Sequence, residues 1–203
     1  SGLPGIALFL GHAAKEFDDR EVAEMSCAAT KNIFALIEHG AHKALCPGGH
    51  AGLGGLAYAI SQLAALHRDI PAEGALAAVT KTLADANIAE AKLELMDGLA
   101  GALLGLRPCA ANNNLRAKLL IEICRRVELS DVNAPQDAVF SRPGMAHGFA
   151  GLQAALAICT SSLPDGAWVD RVTAAARKLA ALACENCAKA AGRTGDLSWC
   201  GGL

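Results

Sequence analysis

Glycine pairs recurring along the chain constrain its fold more than any other feature. "SGLPGIALFL" carries Gly2 and Gly5, "AGLGGLAYAI" carries Gly52 and Gly55, "MDGLAGALLGL" carries Gly98 and Gly101, and "AHGFAGLQAAL" carries Gly148 and Gly151. "SWCGGL" opens a fifth copy at Gly201. The first glycines are spaced by 50, 46, 50 and 53 residues. One Gly-x-x-Gly has no diagnostic value. Four full copies at near-constant spacing, each followed by an apolar run, mark a repeat architecture.

Each repeat contains two helices of different character. The helix after a glycine turn is apolar nearly all round: "GLAYAISQLAAL" (55–66) has only Ser61, Gln62 and the Tyr58 hydroxyl as polar groups. A helix apolar on every side is expected to be buried on every side. The helix between turns is amphipathic. In "NLRAKLLIEICRRVEL" (114–129), Leu115, Leu119, Ile123 and Val127 share one face, while Arg116, Lys118, Glu122, Arg125 and Arg126 fall largely elsewhere. Similar outer helices are expected near 19–39, 72–92 and 168–190, with Pro71, Pro135, Pro143 and Pro164 in the connections. Inner helices alternating with outer ones make an all-α protein of stacked hairpins. The apolar inner layer favours a closed α/α toroid over an open solenoid. The glycines would permit close backbone approach and unusual φ/ψ where each inner helix begins. The inner-helix N-termini, with their N–H groups and positive dipole ends, would gather at one end.

Composition agrees. Hydrophobic residues make up 53% of the chain and aromatics 4%, so the core must be aliphatic and alanine-rich, which favours helix. A net charge of −2 with no basic run argues against a nucleic-acid surface. The most apolar stretch, "GLAGALLGL", is short and bracketed by Asp97 and Arg107, so no membrane span is expected. No basic segment precedes an early apolar run, as a secretory signal would need. The 8 cysteines therefore read as free thiols of a cytoplasmic protein, several of them within helical apolar patterns.

The residues beside the turns carry the candidate chemistry: Glu94 and Asp97 in the third repeat, His147 in the fourth, Cys200 in the fifth. An acid, an imidazole and a thiol thus reach equivalent places in successive hairpins. Each of these residues also has a purely structural reading. Asp97 suits an N-cap of the following helix, and Cys200 a buried thiol before a glycine turn. Cys184 and Cys187 form a C-x-x-C but lie within an outer-helix pattern. Cys46 and His50 are two possible ligands in a Gly-Pro loop. His12, His39, His42 and His67 fall near helix ends, where histidine complements the dipole or is exposed. Arg193, shortly before Cys200, is a possible substrate contact.

With "SGLPGIALFL", "GLGGLAYAI", "DGLAGALLGL", "GMAHGFAG" and "WCGG", the chain resembles the lanthionine synthetase C-like family over essentially its whole length. The last two motifs are the specific ones. The opening segment is similar to the cyclase part of class II bifunctional lanthipeptide synthetases, where it follows a dehydratase domain. The resemblance implies an α/α toroid of seven hairpins around zinc. It also implies a cyclase that adds peptide cysteine thiols to dehydroalanine or dehydrobutyrine, forming lanthionine or methyllanthionine rings on a dehydrated precursor peptide. It implies Cys200 as a zinc ligand, with the remaining ligand pair one repeat later, and His147 as the active-site histidine. The family's acidic position falls on Glu94, where aspartate is usual, with Asp97 three residues on; which of the two acts stays open.

The chemistry suits these residue types. A thiol is mostly protonated at neutral pH, and zinc coordination deprotonates and positions it. Addition leaves an enolate whose α-carbon needs a proton, and an imidazole titrates in the right range to deliver it. A carboxylate can orient that imidazole. Competing functions are a glycoside hydrolase on the same fold, for which aromatic platforms are scarce, a non-catalytic peptide-binding scaffold, and a eukaryotic-type family member adding glutathione to dehydroamino acids. On this resemblance residues 1–203 are part of one cyclase domain, and the chain is expected to be a portion of a longer polypeptide or to be completed by a partner half. Native mass spectrometry should then show a species well above 20.7 kDa with one zinc bound; a metal-free species at 20.7 kDa would argue for a scaffold.

Overall fold

A computed structural model describes residues 2–109, 112–130, 138–142, 144–160 and 166–190. The helices are α1 (Gly2–Phe17), α2 (Arg20–Glu38), α3 (Leu53–Leu66), α4 (Glu73–Asp85), α5 (Leu99–Gly105), α6 (Asn113–Leu129), α7 (Phe149–Thr160) and α8 (Gly166–Ala190). Short 3-10 turns lie at Ala41–Ala44 and Ala138–Ser141. Among the described residues there is no strand, so the class is all-α. No helix there is long and apolar enough to cross a membrane.

The layering follows the sequence pattern. α1 packs on α3, α3 on α5 and α5 on α7, so the helices that follow glycine turns form one layer. The even-numbered helices lie outside them, each against its own partner, with α2 on α4 and α6 on α8. The result is a two-layered arc of α-hairpins, the architecture of an α/α toroid. One apolar cluster runs through it from Ala7 to Leu182. The stripe expected on α6 is buried as Leu115, Leu119, Ile123 and Val127. α2 begins at Asp19, whose carboxylate accepts the N–H groups of Glu21 and Val22. It ends at Gly40, where φ of 83° turns the chain out of the helix.

Three expectations need correcting. The outer helix expected over 72–92 ends at Asp85. Ala86 leaves the helix with an extended ψ of 147°, irregular turns follow, and α6 holds this region by donating from Lys118 to the carbonyl of Ala84 in the last turn of α4 and from Arg126 to that of Ala91. Arg116 and Glu122 are buried rather than solvent-facing. Glu122 enters with a partner, accepting two hydrogen bonds from Arg125 at 2.8 and 2.7 Å, which holds its carboxyl below the usual range. The inner layer is also not sealed on every side: Tyr58 and Ile158 are exposed, as are Ile6 and Phe9 on α1. By contrast, Cys124 and Cys159 are buried as expected for small apolar groups. Burial pushes the Cys124 thiol up to about 11 and Cys159 upward as well, so both stay protonated.

The glycine turns are closed by their own main chain. The amide of Leu53 donates to the carbonyl of Cys46, seven residues back, and Leu99 does the same to Lys92 and Phe149 to Arg142, at 2.8, 2.8 and 3.0 Å. In these three turns the first glycine of the pair lies inside the loop and the second lies in the first turn of the helix that follows, packed against the loop. A Cβ on Gly52, Gly98 or Gly148 would lie 2.5, 2.4 or 2.1 Å from that same carbonyl oxygen. A Cβ on Gly55, Gly101 or Gly151 would lie 2.3, 1.9 or 1.9 Å from a second carbonyl in the turn, that of Gly49, Leu95 or Met145. Gly52 and Gly98 have extended φ of −112° and −113°, open to any residue. Close approach, not unusual φ/ψ, therefore requires glycine here.

Gly101→Ala places its Cβ against backbone atoms of Leu95 and Gly49 that have no room to move, and should destabilise the fold by about 3 kcal/mol. Gly74→Ala, on α4 with nothing within 4 Å, should stabilise by about 0.5 kcal/mol. Denaturant midpoints of the two variants check this; equal midpoints would show that the turns tolerate a side chain.

Candidate functional site

The turns stack on one another. Gly48, Gly49 and His50 donate their amides to the carbonyls of Asp97, Leu95 and Met96, each at 3.1 Å. Leu95 and Met96 in turn donate to the carbonyl of Ala146, at 3.2 and 3.3 Å. The inner-helix starts do gather at one end, as the sequence implies. Their first N–H groups are not open to a ligand, however, because the carbonyls seven residues back already take them.

This stacking sets Glu94 against His147. The Glu94 carboxylate is 5% exposed, and both its oxygens are engaged. Oε1 accepts the backbone N–H of Asp97 at 2.9 Å, tying the acid into its own turn. Oε2 lies 2.5 Å from Nδ1 of His147 in the next turn. A carboxylate only accepts, so Nδ1 carries the proton and donates it to this bond. A buried carboxylate needs such partners, since leaving one unpaired costs several kcal/mol. The His147 side chain is 36% exposed, which leaves Nε2 as the nitrogen available for proton exchange with a substrate.

Asp97 has a different role. Its side chain does not cap α5; the N-cap position is Gly98, and no side chain bonds there. Lys92 donates to Asp97 Oδ2 at 3.0 Å and is held above its ordinary range by that carboxylate. The Cys46 thiol lies 4.0 Å from Asp97 Oδ1. Opposite charge outcompetes the cap. Of the two acids, then, the fold brings Glu94 to His147 and turns Asp97 toward Lys92 and Cys46.

Cys200 and Arg193 lie outside the described residues. Among the described residues, no three His, Cys, Asp or Glu side chains come together as a metal site. Cys46 and His50 acquire no third ligand there, and Cys184 is an exposed free thiol on α8. Of the remaining histidines, His42 lies just past the end of α2, near a helix end as expected, but it is buried in the 3-10 turn rather than exposed. His67 ends α3 with Nε2 2.8 Å from Ser26 Oγ, and burial lowers its pKa. Ser26 already donates to the Ala7 carbonyl, so His67 donates to Ser26, and this pair ties three helices rather than activating a hydroxyl.

Sequence reasoning missed the main-chain groups that align the site: the carbonyls of Cys46, Lys92 and Arg142, and that of Ala146. A signal for the first three was present, since each stands six residues before the first glycine of its turn.

The sequence model of the lanthionine synthetase C-like protein family matches residues 1–203. Comparison with curated proteins and with solved structures gives no match.

Proposed function

The chain belongs to the lanthionine synthetase C-like family, and we propose that it acts as a lanthipeptide cyclase in which His147, oriented by Glu94, delivers the proton that completes each thioether ring. The observation that carries the proposal is the hydrogen bond from His147 Nδ1 to the buried Glu94 carboxylate across two adjacent turns.

The reaction is an addition with no net redox change. The sulfur of a peptide cysteine bonds to the β-carbon of dehydroalanine or dehydrobutyrine. The π electrons of the double bond move toward the neighbouring carbonyl, giving an enolate. His147 Nε2 then gives its proton to the α-carbon. The neutral imidazole regains a proton, in balance with the one that the thiol surrendered. Glu94 contributes at two points. It fixes the tautomer with Nδ1 protonated, and its charge stabilises the imidazolium that must exist before transfer. Its second bond, from the Asp97 N–H, keeps the carboxylate from following the ring. Zinc enters this proposal through Cys200, where it would supply a deprotonated, positioned thiol; none of the steps derived above is routed through it.

Ring formation leaves the peptide's mass unchanged, so the assay counts peptide thiols still open to alkylation, with zinc and a dehydrated precursor peptide supplied. His147→Ala should slow the loss of thiols by about 10² to 10⁴. Glu94→Gln should slow it by about 10- to 100-fold, the effect typical of removing a carboxylate behind a working imidazole. Asp97→Asn should stay close to the parent rate. A His147→Ala protein that closes rings at the parent rate would sink the proposal and favour a peptide-binding scaffold.

A further inference from the structure

A cavity of about 1110 Å³ opens between α1, α2 and the 3-10 turn after it, α3 and the end of α5. It exceeds the roughly 300–1,000 Å³ typical of small-molecule sites. Three of its features point to an occupant. Leu36, Tyr58 and Ile158, which are 52%, 44% and 39% exposed, all line it, so large apolar side chains face water on one shared surface. His42 also lines it, and this residue is 5% exposed with Nδ1 buried and without a hydrogen-bond partner. A buried polar atom in that condition is costly unless something binds it. Finally, among the described residues no Asp or Glu lines the cavity, while Arg107 stands on the wall and makes no ion pair there.

The cavity reaches the third turn, one residue from Glu94, although neither Glu94 nor His147 lines it. Leu95 and Met96 line it, and their amides both bond the carbonyl of Ala146, the residue before His147. A chain whose reacting residue lies at His147 can therefore extend its flank into the cavity along the third turn.

We infer that this cavity holds an apolar segment of the peptide substrate that bears a carboxylate, with Arg107 pairing with the acid and His42 Nδ1 hydrogen-bonding the bound segment. The inference rests on the cyclase reading for the identity of the ligand as a peptide. The apolar wall selects leucine- or isoleucine-like side chains, and the arginine, with no competing acid nearby, selects negative charge. Arg107 and Tyr58 are specificity residues for the flank and play no part in the proton transfer.

The test measures binding by fluorescence anisotropy, using the full chain and labelled Leu-Ile-Glu-Leu peptides with their Gln, Lys and all-Ser counterparts. The Glu peptide should bind best and the all-Ser peptide not at all. Arg107→Glu, a change at an exposed position, should weaken the Glu peptide by about tenfold and strengthen the Lys peptide. Tyr58→Glu, also exposed, should weaken every apolar version. Equal affinity for the Glu and Gln peptides, or indifference to Arg107→Glu, would overturn the inference. Uptake of the neutral dye Nile red without peptide binding would overturn it too, giving the cavity to an apolar small molecule. His147→Ala should slow ring closure by about 10² to 10⁴ while leaving these affinities unchanged. Loss of the binding pattern with His147 still essential defeats this inference alone; an intact pattern with His147 dispensable defeats the cyclase reading alone.

Discussion

The hydrogen bond from the first amide of an inner helix to a carbonyl seven residues earlier organises this molecule. It recurs at Leu53, Leu99 and Phe149, and each time it folds a short loop back onto the helix it introduces. A single bond of this kind contributes only about 1 kcal/mol net, yet the geometry it imposes is strict. The loop closes so tightly that both glycine positions touch carbonyl oxygens, and a methyl group at either has nowhere to go. Once each loop has this shape, it presents edge amides and carbonyls at fixed heights, and neighbouring loops bond to one another through them. Gly105, whose Cβ would lie 2.0 Å from the Gly54 carbonyl, lets α5 meet α3 backbone to backbone and extends the same close fit into the inner layer.

The candidate site is a consequence of that stack. Glu94 and His147 are 53 residues apart in sequence, and no local preference would bring them together. Equivalent loops in register do. Glu94 then serves both levels at once, closing its own turn through Asp97 N–H and orienting the histidine of the next. Its burial makes the arrangement directional, because in a poorly solvated place a carboxylate holds its donors firmly. The apolar cavity reaches the same third turn through Leu95 and Met96, so under the proposed mechanism the peptide's flank and its reacting residue would draw on one frame.

Much of this could be read in the sequence. The glycine spacing gave the repeat, the contrast between "GLAYAISQLAAL" and "NLRAKLLIEICRRVEL" gave the two layers, and the position of His147 and the acids before the turns gave the end of the arc where they meet. What escaped has physical causes. The choice between Glu94 and Asp97 depends on the curl of a loop that side-chain chemistry alone does not specify, and Lys92, five residues before Asp97, decides it by charge. The burial of Arg116 and Glu122 runs against the helical pattern, because a charged side chain can enter a core when it brings its partner. The early end of α4 makes room for the irregular turns that lead into the third glycine turn, a demand of the repeat that overrides local helix preference. His42 was read as complementing a helix dipole or exposed near a helix end, and only packing shows it buried in the cavity wall.

The central claim is that stacked turns hold Glu94 on Nδ1 of His147, and nitrogen-15 NMR of the imidazole tests it most directly. The account predicts a neutral ring protonated at Nδ1, with a strongly deshielded proton on that nitrogen that disappears in Glu94→Gln and persists in Asp97→Asn. A ring protonated at Nε2, or a spectrum unchanged by Glu94→Gln, would contradict it.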